Sequence, residues 1–296
     1  MRISRFLTAL ALFLSPAAGH ADGARDWVNA PVDTSFIYFY YTHSDAHSSF
    51  DGSLPLKGAS LDAHVPVLRM ARTFSLGGRI AAVQLVLPYA KVDGSIDGTS
   101  IGRKLSGAGD LQAIFVANIY GAPAMSLEQL MQWQPQDFLA ASLAITAPTG
   151  RYDRFRLLNI SKNRWAIKPQ LSWGKYFNDG SLLAVNANVQ FFTTNDEYLG
   201  LGSLDQDPLY TLEAHYSKNL NRALWVSADA YYTFGGETEI GGVKQHNRQE
   251  TLRLGLSANM NLSLTDAVSV SFDQSVARRD HTPEMRTFSI SYSKLW

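Results

Sequence analysis

Residues 288–296 read Phe-Ser-Ile-Ser-Tyr-Ser-Lys-Leu-Trp. Phe288, Ile290 and Tyr292 alternate with serines. A strand here puts Phe288, Ile290, Tyr292 and Trp296 on one face and the serines on the other. In a soluble domain such a face packs on a core. In an outer-membrane barrel it meets lipid, with aromatic residues at the interface. The other strands and the leader decide between the two.

Eleven more segments carry a strand pattern, over 34–43, 61–74, 79–91, 110–120, 138–147, 167–173, 183–191, 210–217, 224–232, 252–260 and 268–273. The alternation is cleanest after residue 166. Ile167, Leu171 and Trp173 oppose Lys168, Gln170 and Ser172, and Leu183, Val185 and Val189 oppose Asn186, Asn188 and Gln190. Pro169 lies among the apolar set, where it removes one ladder donor. Long polar connections (43–60, 92–108, 151–164, 194–207, 235–249, 277–284) alternate with short ones at 75–78, 178–180, 219–222 and 263–266. The connection holding Ser126 to Met131 breaks this rhythm and reads as a short helix capped by Ser126.

Each segment has about the length of a tilted membrane strand. Long loops on one side and short turns on the other are the asymmetry of an outer-membrane barrel. The expectation is therefore an all-β chain, a transmembrane antiparallel up-and-down β-barrel of about twelve strands. An even count puts both ends on the periplasmic side. A closed ring leaves no backbone edge unpaired in lipid, so the last strand should pair with the first. A large periplasmic sandwich or lipocalin-like barrel shares the alternation but not the loop asymmetry.

The leader agrees. Arg2 and Arg5 precede an apolar run over 6–14, and Gly19, His20 and Ala21 offer small residues for cleavage. The chain thus divides into a signal peptide (1–21), a periplasmic lead-in or lumen plug (22–33) and a barrel (34–296). Absence of cysteine excludes disulfides, thiolate metal sites and a lipidated cysteine. A formal net charge of zero gives no basic surface for nucleic acid.

Several stretches carry a family likeness: Gly23-Ala24-Arg25-Asp26-Trp27-Val28-Asn29-Ala30-Pro31, Val67-Leu68-Arg69-Met70-Ala71-Arg72-Thr73-Phe74, Leu87-Pro88-Tyr89, Ser106-Gly107-Ala108-Gly109-Asp110, Pro148-Thr149-Gly150-Arg151-Tyr152-Asp153 and Asn163-Arg164-Trp165. In these the chain resembles the outer-membrane transporter-like proteins named for the meta-pathway of phenol degradation. Ser161 departs from the glycine expected there. The resemblance implies a barrel in the bacterial outer membrane and uptake of small hydrophobic or aromatic compounds. Trp296 also resembles the terminal aromatic read by the barrel assembly machinery. That machinery, membrane lipid and a small solute are the expected partners, with no cofactor.

With the apolar faces toward lipid, the lumen should receive Lys168, Gln170, Asn186, Asn188, Gln190, Glu213, His215, Asp229, Arg253, Asn259 and Asp273. They form either a selectivity zone or space-filling pairs, since twelve strands lie between a filled barrel and an open pore. Arg25, Asp26 and Trp27 in the lead-in are candidates for a plug; the other reading is a periplasmic tail. Arg69 and Arg72 fall on opposite faces of one strand unless a bulge intervenes. A lipid-facing charge at mid-depth costs about 2–4 kcal/mol, so either a bulge or an interfacial position is expected. The other function class is a non-transporting barrel, whether a lipid-modifying enzyme or a structural or adhesive surface protein. Its only enzymatic hint is His47-Ser48-Ser49, without an oriented base or oxyanion site. Asp93, Asp97, Asp205 and Asp207 lack the spacing of a calcium loop.

Overall fold

The computed structural model describes residues 22–49, 58–97, 99–200, 202–280 and 282–296. The leader expected over 1–21 lies outside them. The strands are β1 (Ser35–Ser49), β2 (Gly58–Leu76), β3 (Arg79–Ile96), β4 (Gly102–Ala108), β5 (Leu111–Tyr120), β6 (Phe138–Ala147), β7 (Ala166–Tyr176), β8 (Leu182–Phe192), β9 (Leu204–Gln206), β10 (Leu209–Asn219), β11 (Leu224–Gly235), β12 (Thr238–Ile240), β13 (Val243–Lys244), β14 (Gln249–Asn261), β15 (Asp266–Arg278) and β16 (Glu284–Leu295). Among the described residues one helix, α1 (Leu127–Gln132), lies between β5 and β6. Its cap is Ser126, in a capping box completed by Gln129.

Twelve of these strands close a ring, β1-β2-β3-β5-β6-β7-β8-β10-β11-β14-β15-β16 and back to β1, with every neighbour antiparallel. The seam between β1 and β16 runs from Phe36↔Leu295 to His47↔Glu284. Trp296 extends it, donating to the Ser35 carbonyl at 3.0 Å and accepting from the Ser35 N–H at 2.9 Å. Backbone pairing survives Trp296→Ser, but the exposed ring at the barrel end is lost. Cells expressing Trp296→Ser should therefore hold less heat-modifiable, folded barrel. Permeation per folded molecule should stay unchanged.

Two backbone features pin the ring. β2 and β3 join through Gly77 and Gly78, with φ of 58° and 77°, the left-handed pair of a tight hairpin. On β7, Gly174 leaves room for Phe138, whose ring lies 2.1 Å from where a Cβ would stand.

Outside, large apolar side chains stay exposed around the ring: Val83, Leu85, Phe115, Leu143, Ile167, Leu171, Trp173, Leu212, Leu256, Phe272, Phe288 and Ile290. On β14 every outward position from Leu252 to Met260 is apolar. Such a girdle far exceeds the apolar patches of soluble monomers and matches the lipid-facing band of a membrane barrel. Arg69 faces inward and Arg72 outward, with no register shift in either β2 pairing. The bulge is absent. Arg72 instead lies near the turn end of β2, where its Nη1 donates to Ser35 Oγ at 3.0 Å.

The stretch 92–108 differs from its expected loop. β3 runs on to Ile96 and pairs with β4 from Tyr89↔Ala108 to Ser95↔Gly102. Likewise β1 continues to Ser49 and β2 begins at Gly58, where a loop over 43–60 was expected. β1 to β3 thus form a tall wall, whereas β6 has 10 residues. The loops at 194–207 and 235–249 contain the small sheet β13-β12-β9.

Candidate functional site: the barrel lumen

The lumen changes character along its axis. Toward the loop end, the inner faces of β2 and β3 present Leu61, Ala63, Val65, Val67, Ala90 and Val92, all buried. Leu158 and Ile160 descend from the connection between β6 and β7 and pack on this wall. Asp110 holds that connection in place. Its carboxylate accepts from Gly150 N (2.9 Å), Ser161 Oγ (2.6 Å) and Lys162 N (3.1 Å). Ser161, unusual at the sequence level, supplies a hydroxyl that also accepts from Asn163 N at 2.9 Å. Lys162 and Arg164 lie over the inward ring of Phe192, at 5.7 and 4.3 Å. Burial, with Arg164 nearby, pushes the Lys162 ammonium down to about 8.

Toward the turn end the lumen is charged. His215 Nδ1 lies 2.7 Å from Asp229 Oδ1, and its Nε2 faces Glu213 Oε2 at 3.8 Å. Asn186 donates to Glu213 at 3.0 Å and Ser227 to Asp229 at 2.7 Å. Arg253 donates to Asp273 at 2.7 Å and stacks over Tyr231 at 5.0 Å. Across the ring, Arg69 donates to Gln84 Oε1 at 2.6 Å and Tyr40 OH at 3.3 Å, and covers Tyr38 at 5.3 Å.

Residues 22–33 enter this charged zone. Arg25 takes a positive φ of 67°. Its Nε donates to Ser217 Oγ at 2.8 Å and its Nη1 to Asn219 Oδ1 at 2.7 Å. The guanidinium also lies 5.1 Å from the Trp225 ring. Asp26 reaches Arg69 at 4.0 Å. Asp22 accepts from Gln170 and, at 2.9 Å, from Trp27 Nε1. β2 and β10 are six places apart in the ring of twelve, so contacts to Arg69 and Ser217 tie the segment to opposite walls. The unusual connection between β5 and β6 anchors its base: Val32 N donates to Met125 O at 2.9 Å and Asn29 Nδ2 to Pro123 O at 3.0 Å.

Of the eleven residues expected in the lumen, Gln170, Asn186, Glu213, His215, Asp229 and Asn259 are buried. The structure brings Glu213, His215, Asp229 and Asn186 into one cluster, and Arg253 with Asp273 into an adjoining pair. Asn188 donates to Gln170 at 3.2 Å, and Asn259 accepts from Ser269 at 2.8 Å. The side chains of Lys168 and Gln190 make no hydrogen bond or ion pair with the described residues, although both residues pair in the backbone ladder. Arg69, Tyr38, Tyr40 and Gln84 were not expected there. Their inward parity follows from Val65 and Val67, once β2 is known to carry its apolar residues on both faces.

Among the described side chains, His47 does not meet Ser48. His47 Nδ1 lies 3.2 Å from Ser60 Oγ and 3.4 Å from Asp97, and Ser48 is fully buried on the other face. The side chain of Ser49 lies outside the described residues. The loop carboxylates are spread as well: Asp93 pairs with Lys104 at 2.8 Å, while Asp205 accepts from Thr194.

Residues 44–291, nearly the whole barrel, match the family described as "Putative MetA-pathway of phenol degradation". The chain belongs to this family. No curated protein sequence matches it. Among solved structures it is similar to the COG4313 outer membrane channel from Pseudomonas putida F1, with 24% identity and a TM-score of 0.80, over 93% of this chain and 100% of that one. The beta domain of the Bordetella autotransporter BrkA has 13% identity and a TM-score of 0.57, over 89% of this chain and 100% of that one. The transport unit of the autotransporter AIDA-I from Escherichia coli has 6% identity and a TM-score of 0.58, over 98% of both chains. These likenesses establish the fold of the family member, a closed twelve-stranded antiparallel barrel.

Proposed function

We propose that this chain is an outer-membrane channel for small hydrophobic or aromatic compounds, narrowed but not sealed by residues 22–33 inserted from the periplasmic side. The observation that carries the reading is the polarity change along the lumen. An apolar wall of Leu61, Val65, Val67 and Val92 lies packed under Leu158 and Ile160 below the outer loops, and receives the solute when those two side chains give way. The charged band below it is bridged by the N-terminal segment. A hydrophobic solute is stabilised against the upper wall by roughly 25 cal/mol per Å² of apolar area removed from water, while hydrophilic solutes gain nothing there. Lys162 and Arg164 at the mouth favour anionic forms of an aromatic solute. The pathway for which the family is named, and the likeness to an outer membrane channel of Pseudomonas putida, support the same reading.

The test compares two carboxylates, benzoate and gluconate, in liposomes carrying the full chain. Faster permeation of benzoate, after subtraction of protein-free leak, is expected. Equal or faster gluconate permeation overturns the hydrophobic preference, and no protein-dependent permeation of either favours a non-transporting barrel.

A further inference from the structure

On the outer surface of β1 to β3 the girdle ends at one level. Tyr41, Pro66 and Tyr89 stand abreast by register, and the two tyrosines flanking the proline are of the kind that mark a membrane interface. The next row toward the loop end is His43, His64 and Lys91, and the one above it is Asp45, Asp62 and Asp93. His43 is directly opposite His64, and Asp45 directly opposite Asp62. Two imidazoles and two carboxylates thus form a square across one strand pair.

The donor atoms converge. His43 Nε2 lies 2.7 Å from Asp62 Oδ2 and 3.8 Å from Asp45 Oδ1, and His64 Nε2 lies 3.0 Å from Asp62 Oδ1. The two rings stack with centroids 4.6 Å apart and planes 9° from parallel. One donor atom each from His43, Asp62 and His64 fit within 4.8 Å of one another. Zinc–nitrogen bonds of about 2.0 Å in a tetrahedron separate the donors by roughly 3.3 Å, inside the range seen here. The second nitrogen of His64 is also fixed, because Tyr41 OH lies 2.6 Å from Nδ1. A hydrogen bond on the far ring nitrogen is the usual way a ligating histidine is oriented.

We propose that His43, Asp62 and His64, with Asp45 as a fourth donor, bind a divalent transition-metal ion of the zinc class and clamp β1 to β2 at the extracellular rim. Imidazole nitrogens select such an ion over Mg²⁺ or Ca²⁺, which take oxygen donors. Lys91 and Arg286 occupy the register positions flanking the square, so its affinity rests on direct ligation and not on a wide negative field. The ion takes the place of the contact between His43 and Asp62.

The test is calorimetric titration of Zn²⁺ into the full chain in detergent, paired with its heat-denaturation midpoint. One saturable ion per chain and a raised midpoint are expected. His64→Ala and Asp62→Asn should each lose both effects while remaining folded barrels by gel migration without metal. His47→Ala, one row higher, should keep both, and Mg²⁺ should produce neither. Absence of saturable Zn²⁺ binding in the parent chain overturns the site, as does binding that persists in the His43→Ala/His64→Ala double variant. Loss of binding in His47→Ala alone overturns the assignment by moving the site to His47 and Asp97.

Discussion

A chain lacking residues 22–30 will pass benzoate at least several-fold faster than the full chain in the liposome assay. The segment is held by charged contacts to walls on opposite sides of the ring: Arg25 to Ser217 and Asn219, Asp26 to Arg69, and Asp22 to Gln170. A hydrogen bond to a charged group contributes about 1.5–3 kcal/mol. Loss of even one such contact shifts the inserted-to-released ratio by about tenfold or more, because about 1.4 kcal/mol is a factor of ten. The deletion spares Pro31, whose carbonyl accepts from Thr73 at 2.7 Å, and Val32, which is tied to Met125. Closure of the ring therefore does not depend on the deleted residues. Arg25→Ala should give an intermediate rise, since it removes the β10 and β11 contacts and leaves Asp26 and Asp22 in place. Permeation equal to the parent, from a deletion that still folds, would count against the segment as a plug.

Asp229→Ala should be the most destabilising single change in the lumen. His215 is 1% exposed, with Asp229 at 2.7 Å on one ring nitrogen and Glu213 at 3.8 Å on the other. Removing one partner of a buried charge pair costs about 3–5 kcal/mol, because the group left behind is uncompensated. Ser227 loses its shorter acceptor at the same time and keeps only the Ala228 carbonyl at 3.3 Å. Asp229→Asn keeps an acceptor for Ser227 and should fall between parent and alanine. Urea unfolding of the barrel in detergent, followed by tryptophan fluorescence, should rank the midpoints parent, Asn, Ala. A midpoint for Asp229→Ala equal to the parent's would show that the cluster adds nothing to stability.

The period-2 pattern revealed the ring, its twelve strands and, from β7 onward, the apolar face of each ring strand. Strand alternation is a local property set by which side meets lipid, so Ile167 and Lys168 announce their faces without knowledge of their neighbours. The tall wall was not legible for the same reason. Above the Tyr41–Pro66–Tyr89 row the outer face meets water, so His43, Asp62 and Lys91 turn outward while Ala63, Val65 and Val92 turn inward. The apolar phase inverts, and a strand resembles a polar loop. The N-terminal segment was hidden differently. Its residues have no period of their own, and Arg25 finds its partners 192 and 194 positions away. Those contacts depend on a lumen that exists only after the ring has closed. The helix-bearing connection after β5 broke the loop rhythm because it carries the anchor of that segment.

The apolar outer face of β14, from Leu252 to Met260, spans eight residue steps. At about 3.4 Å per residue and a strand tilt of roughly 40°, it is on the order of 20 Å tall. Ordinary bilayers have a hydrocarbon core of about 30 Å, so in them this barrel is too short. Lipid must thin around it, at a cost that grows with every ångström of mismatch. The outer membrane, thinner than average, suits it better. Bilayer thickness thereby becomes a sorting signal written into the height of the girdle, separate from any address carried by the leader or by Trp296.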